Sequence, residues 1–295
     1  DDNNGYVDDY LGWDAANGDD NIDGGSHGVN VAGMIGAVGD NNTRVVGVNW
    51  NVKIMNMEYG SIGGSGNPNE ANVIEAYTYP LVMRRQYEAT NGALGAFVVA
   101  TNSSWGLDNA DPLDAPLWCA FYDTLGASGI LSAGATANNN VNIDNVGDLP
   151  TACASEYMIS VTATNNQDVR TFSGYGATTV DLGAPGEDVR TTSSGGNYTT
   201  TSGTSFASPA TAGAVALMYS APCASLAAIA HSDPALAAEM VRDAIFDGVD
   251  LIGNLSGECV TGGRLNLKGA LDEILLNCAS GGCMPPFSLG AGNIT

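Results

Sequence analysis

The sequence predicts an α/β fold of three layers, a mostly parallel sheet flanked by helices, and three observations carry that expectation. Short apolar runs alternate with longer segments of helical spacing: Val52 to Met57, Glu70 to Thr90, Ala96 to Ala100, Leu113 to Ser128, then Ile130 to Gly134. Strand, helix, strand is the rhythm of a parallel sheet, because parallel neighbours need a crossover between them. The runs are apolar with little alternation, as strands covered on both faces are. Finally, 295 residues of which 44% are apolar suffice for one large domain with a sizeable core.

Taken in order, the chain opens on Asp1-Asp2-Asn3-Asn4-Gly5-Tyr6-Val7-Asp8-Asp9, short oxygen-bearing side chains around a glycine. Such a loop gathers hard ligands, and Asp1, Asn3, Asp8 and Asp9 are the candidate set for a structural calcium ion; a solvated acidic turn is the alternative. An acidic, glycine-rich loop from Asp14 to Gly25 leads into Gly25-Ser26-His27-Gly28-Val29-Asn30-Val31-Ala32-Gly33. Val45 to Val48 and Val52 to Met57 read as buried strands. In Glu70 to Thr90, Val73, Ile74, Tyr77 and Leu81 have helical spacing, with Pro80 as an interruption that kinks or divides the helix. Tyr157 to Thr164 is a further strand. Ser202-Gly203-Thr204-Ser205-Phe206-Ala207-Ser208-Pro209 then delivers a serine into an almost uncharged segment ending near Tyr219, which places a nucleophile at the mouth of a buried helix. Pro234 to Phe246 and Arg264 to Leu276 read as outer helices, and His231 as a structural histidine between helices. Residues 1–280 are expected to form one domain, with 281–295 a Gly/Pro-rich tail.

Composition excludes several classes of function. The net charge is −23, from 32 acids against nine bases, so a phosphate backbone is repelled and nucleic acid is not an expected partner. No apolar run is long enough for a membrane span. Six cysteines form an even set without Cys-x-x-Cys pairs. In an exported protein they would form disulfides, with Cys278 to Cys283 and Cys223 to Cys259 as plausible bridges. Excess carboxylates suit a secreted, extracellular protein.

The run Gly203-Thr204-Ser205-Phe206-Ala207-Ser208-Pro209 resembles the Gly-Thr-Ser-x-Ala-x-Pro segment around the nucleophile of subtilisin-like serine proteases. The Gly-x-Ser-x-Gly elbow of α/β-hydrolases fits less well, since Ala207 stands where its second glycine belongs. The block from Ser26 to Gly33 is similar to the family's His-Gly-Thr-His-Val-Ala-Gly, which makes His27 the general base. Asn102-Ser103-Ser104-Trp105-Gly106 resembles the edge segment that pairs with a peptide substrate. The resemblance thus implies substrate binding by Ser104, Trp105 and Gly106, and by Ser132, Ala133 and Gly134 on the facing strand. Where the family has Ala-Gly-Asn, with the asparagine donating to the oxyanion, this chain reads Ala133-Gly134-Ala135. The oxyanion position thus falls on Ala135, which has no donor, and a half-built hole is expected unless Asn138, Asn139 or Asn140 folds back.

The family's aspartate, at the end of a buried apolar strand ahead of the histidine, has no match. Asp1, Asp2, Asp8 and Asp9 lie in the polar opening, and Asp14 follows only Tyr10-Leu11-Gly12-Trp13. The expectation is a peptidase domain lacking its first strand, with that slot filled by an upstream segment of the same precursor or by a neighbour. Two functions are compatible with this: a secreted endopeptidase acting on peptide or protein substrates, impaired as it stands, or a protease-fold binding or assembly protein, which would form a stable oligomer or hold a foreign strand.

Overall fold

The computed structural model describes residues 4–22, 25–60 and 62–279. Trp13–Asp14 (β1) and Met57–Glu58 (β2) form a parallel pair. The central sheet has six strands: Ala100–Ser103 (β3), Leu131–Ala135 (β5), Met158–Thr164 (β7), Leu182–Pro185 (β8), Asp250–Leu251 (β11) and Gly263–Arg264 (β12). Their spatial order is β11-β12-β8-β7-β5-β3, and every neighbouring pair is parallel except β11 with β12. Two antiparallel ribbons flank the sheet, Leu107–Asp108 (β4) with Asp148–Leu149 (β6), and Val189–Ser193 (β9) with Asn197–Thr201 (β10).

The helices are Ser26–Gly36 (α1), Glu70–Ala89 (α2), Pro116–Gly126 (α3), Thr204–Tyr219 (α4), Ala224–Ser232 (α5), Pro234–Asp247 (α6) and Leu267–Ala279 (α7). Successive side chains of a strand point to opposite faces, and β7 shows what that does here. Ile159, Val161 and Ala163 pack with Ala207, Ala214 and Met218 of α4 and with residues of α5, α6 and α7. Met158 joins the other face, where Trp118, Tyr122 and Leu125 of α3 meet Val73, Tyr77 and Leu81 of α2. The sheet is therefore sandwiched between two helical layers, as expected. Ser160 and Thr162, also buried on β7, satisfy their hydroxyls on the carbonyls of Thr151 (2.6 Å) and Gly174 (2.7 Å). Among the described residues no single helix is long and apolar enough to cross a membrane.

Several details differ from expectation. Pro80 lies inside an unbroken α2. Val45 to Val48 is not a paired strand: the N–H groups of Gly47 and Val48 bond to the carbonyls of Ala37 and Met34, so the segment packs along the C-terminal end of α1. The disulfides join Cys119 to Cys153 and Cys223 to Cys278, which corrects both the Cys223 to Cys259 and the Cys278 to Cys283 pairings. The reason is topological: α5 and α7 bring Cys223 and Cys278 together with Cα atoms 5.5 Å apart. Cys259 instead is a buried free thiol in a separate cluster with Ile143, Val180 and Leu255. Cys283 and the 281–295 tail lie outside the described residues.

Helix α1 is anchored by backbone contact with a hydroxyl-bearing ribbon. Thr191 and Thr192 of β9 donate to the carbonyls of Asn30 (2.7 Å) and Val29 (2.8 Å). The approach is close because residue 33 has no side chain: a Cβ there would lie 2.2 Å from Thr192 Oγ1, 2.4 Å from Thr191 Oγ1 and 2.9 Å from the Thr192 nitrogen. Gly33→Ala is expected to push α1 off β9, at the roughly 1–3 kcal/mol typical of overpacking. A thermal melt should show the midpoint falling by several degrees, and a midpoint equal to that of the unmutated protein would contradict this close packing.

Candidate active site

Helix α4 starts at a glycine in a conformation other residues rarely adopt. Gly203 has φ +154°, and a Cβ there would sit 3.4 Å from both Asn138 Oδ1 and the Phe206 ring. The turn places Thr204 and Ser205 in the first helical turn, where backbone N–H groups have no intrahelical acceptor. One of these is satisfied from outside: the Thr204 N–H donates to Asn138 Oδ1 at 2.9 Å. Thr204 Oγ1 donates to the Thr136 carbonyl at 2.5 Å and to Asn138 Oδ1 at 3.1 Å.

The start of α4 is also latched to the ends of β3 and β5. Ser104 Oγ donates to the Ser205 carbonyl at 2.7 Å, and Ser205 Oγ donates to the Ser104 carbonyl at 3.2 Å. Ser208 Oγ donates to Asn102 Oδ1 at 2.5 Å and to the Ala133 carbonyl at 3.2 Å, while Asn102 Nδ2 donates to Ser104 Oγ at 2.9 Å. Ser205 is half-buried and opens into a cleft that also involves Trp105, Thr136, Asn138, Asp108 and Asp148.

His27 sits on the exposed first turn of α1, its ring centroid 5.8 Å from that of Phe206, the residue after Ser205. The fold thus brings the two sequence-expected residues to one rim of the sheet. Among the described residues no hydrogen bond joins them, the Ser205 hydroxyl being turned to Ser104. No described carboxylate bonds to His27 either. Asp14, nearly fully buried, spends its carboxylate on its own turn, accepting from the Ala16 N–H (2.7 Å), the Asn17 N–H (3.1 Å) and Asn17 Nδ2 (2.6 Å).

Other expectations are corrected. Ser132, Ala133 and Gly134 do not line the cleft. They lie in the middle of β5, bonded to β3 on one side and β7 on the other, with the Ser132 hydroxyl accepting from Thr101 at 2.8 Å. The cleft is lined instead by the strand's last residue and the loop beyond it, Ala135, Thr136 and Asn138, opposite Ser104, Trp105 and Gly106. Ala135 supplies no polar side chain there, but Asn138 does. Its Oδ1 faces a backbone N–H, which can only donate, so the assignment of oxygen and nitrogen in the carboxamide is fixed and Nδ2 is the group left as a donor. The sequence signal was Thr136-Ala137-Asn138 standing for Ala-Gly-Asn three residues beyond the Ala133-Gly134-Ala135 run that first draws the eye.

For the calcium set, Asp1 and Asn3 lie outside the described residues. Asp9 accepts from Asn4 Nδ2 (2.7 Å) and the Tyr79 hydroxyl (2.8 Å), and no group of three or more His, Cys, Asp or Glu converges among the described residues. His231 is structural, with Nδ1 3.1 Å from Glu88 Oε2 and its ring stacked on Tyr87.

A serine at a helix mouth, an asparagine carboxamide beside it and a histidine on the same rim define the serine-protease class of site on an α/β sheet. The Subtilase family matches residues 1–258, and the chain belongs to that family. It is 32% identical over 201 residues to subtilisin DY of Bacillus licheniformis, covering 68% of this chain and 65% of that protein. With alkaline elastase YaB of Bacillus sp. (strain YaB) it shares 31% over 208 residues, 68% of this chain and 47% of the relative. The structure of the epidermin leader peptide processing serine protease of Staphylococcus aureus superposes with a TM-score of 0.61 at 18% identity, covering 83% of this chain and 62% of that one, a likeness of fold. The chain spans only 23% of the length of the cell wall-associated protease of Bacillus subtilis, to which it is 30% identical, and about half of several other relatives.

Proposed function

We propose that the chain is the peptidase domain of a secreted serine endopeptidase in which Ser205 attacks a peptide carbonyl and His27 takes its proton. The observation that carries this is the Asn138 carboxamide, held by the Thr204 N–H at the start of α4 and lining the same cleft as Ser205, where its amide would offer a donor to an oxyanion. For attack, the Ser205 hydroxyl must leave the Ser104 carbonyl and turn toward His27, a rotation about one side-chain bond. The substrate backbone would run along Ser104-Trp105-Gly106 as an added strand. Extracellular residence is supported by the acidic surface and by relatives named as cell wall-associated and extracellular proteases.

The carboxylate that orients His27 is assigned in this reading to a strand contributed by an upstream segment or a neighbouring molecule. Among the described residues β2 and β3 are each paired on one edge only, and Tyr59 and Trp105, just beyond their C-terminal ends, meet as a tilted ring pair with centroids 4.4 Å apart. An inserted strand would satisfy both open edges.

Labelling by a fluorophosphonate probe tests the reading. Ser205 in the full-length protein is expected to be modified and Ser205→Ala to be inert. Intact protein that ignores the probe and cleaves no peptide would leave a binding role on a protease scaffold.

A further inference from the structure

The cleft at Ser205 is lined by two acids, Asp108 and Asp148. Asp148, on β6, is 1% exposed and lies directly opposite Asp108 of β4, so two carboxylates face each other across one register position. Like charges directly opposite destabilise a ladder, and a buried carboxylate needs a compensating charge or stays neutral. Among the described residues, none of the ion pairs formed by Arg84, Arg170, Arg242, Arg264 and Lys268 reaches either residue, and no lysine, arginine or histidine lines the cleft. Asp148 accepts hydrogen bonds from the Thr151 hydroxyl and the Ala137 N–H, both of which hold it in place without adding positive charge. Its segment is pinned further on: Ser160 Oγ donates to the Thr151 carbonyl, and the Cys119–Cys153 disulfide ties the loop to α3. The carboxylate cannot swing out to water, and an asparagine could accept the same two bonds without the cost of burying charge.

We propose that Asp148, with Asp108 beside it, selects substrates carrying lysine or arginine at the residue whose carbonyl Ser205 attacks, the cationic side chain entering the cleft to pair with the buried carboxylate. The inference rests on the serine-protease reading and names its substrate class. A cation supplied only by the substrate explains why the chain keeps an unpaired acid there, since a desolvated ion pair formed on binding discriminates strongly against neutral side chains. Asp148 is pushed up to about 7, first by burial and then by Asp108, against the Thr151 and Ala137 hydrogen bonds that pull it down. The preference for a cation therefore grows as pH rises through that value.

Matched peptides with arginine, lysine, leucine or phenylalanine at that residue test it on the full-length protein. The expected result is a kcat/KM for arginine and lysine at least tenfold above phenylalanine. The arginine-to-phenylalanine ratio, from which the ionisation of a shared base cancels, should rise between pH 6 and 8. In Asp148→Asn the ratio should fall at least tenfold and lose its pH dependence, and in Asp108→Asn, at an exposed position, it should fall less. Phenylalanine or leucine preferred at every pH overturns the inference, as does a ratio unmoved in a cooperatively melting Asp148→Asn protein. Should Asp148→Asn fail to fold, the Asp108→Asn ratio and the pH series decide alone. Probe labelling of Ser205 together with a neutral preference removes only this inference, whereas no labelling and no cleavage of any peptide removes the protease reading with it.

Discussion

Ser205→Ala is expected to lower kcat in the full-length protein by about 10⁶-fold, His27→Ala by a similar factor, and the double variant by no more than either alone, magnitudes that belong to another member of this family. The non-additivity is the informative part. If His27 acts only by removing the proton from Ser205, it has nothing left to do once the hydroxyl is gone. Steady-state hydrolysis of a peptide ester or amide, with folding checked by a thermal melt, supplies the comparison. Effects that multiply in the double variant would mean that His27 acts elsewhere, and the link drawn from its place beside Phe206 would fail.

Asn138→Ala is expected to reduce kcat by roughly 10²- to 10³-fold with little change in KM, a magnitude again known from a relative in this family. The donor acts where charge develops in the transition state, so ground-state binding should hardly notice its loss. Ala135→Gly, at the position the sequence first pointed to, makes the control, since Ala135 brings no donor to the cleft. The change at residue 138 also removes the acceptor of the Thr204 N–H. Asn138→Asp separates the two roles: it keeps the acceptor for Thr204 and loses the donor. A rate for Asn138→Asp close to that of the unmutated enzyme would show that the carboxamide holds Thr204 and does not stabilise the oxyanion.

The parts of this fold that depend on local pattern were legible in the sequence. Tyr157 to Thr164 reads as a strand, and Met158–Thr164 forms one with both faces covered. Ser205 and His27 were found because each sits in a local run, and runs survive folding. What escaped depends on contacts between distant segments. Val45 to Val48 has the composition of a strand but bonds to the end of α1, an outcome fixed by where that helix stops. Cys223 lies nearer to Cys259 in the chain, yet the packing of α5 on α7 pairs it with Cys278. The donor proposed at residue 138 is masked in the sequence because Ala133-Gly134-Ala135 imitates the expected tripeptide early. Only the bond to Thr204 shows which residue reaches the cleft. Asp148 carried no motif at all: its chemistry arises from the β4 and β6 pairing and from burial.

The support of α1 gives the two halves of the site different mechanical footing. Ser205 is riveted to the sheet through Ser104, Ser208 and Asn102, whereas the helix bearing His27 rests partly on α4 and partly on two threonine hydroxyls of an outlying ribbon. Loosening that ribbon takes one of two supports from the base and none from the serine, so activity is expected to fade ahead of global unfolding.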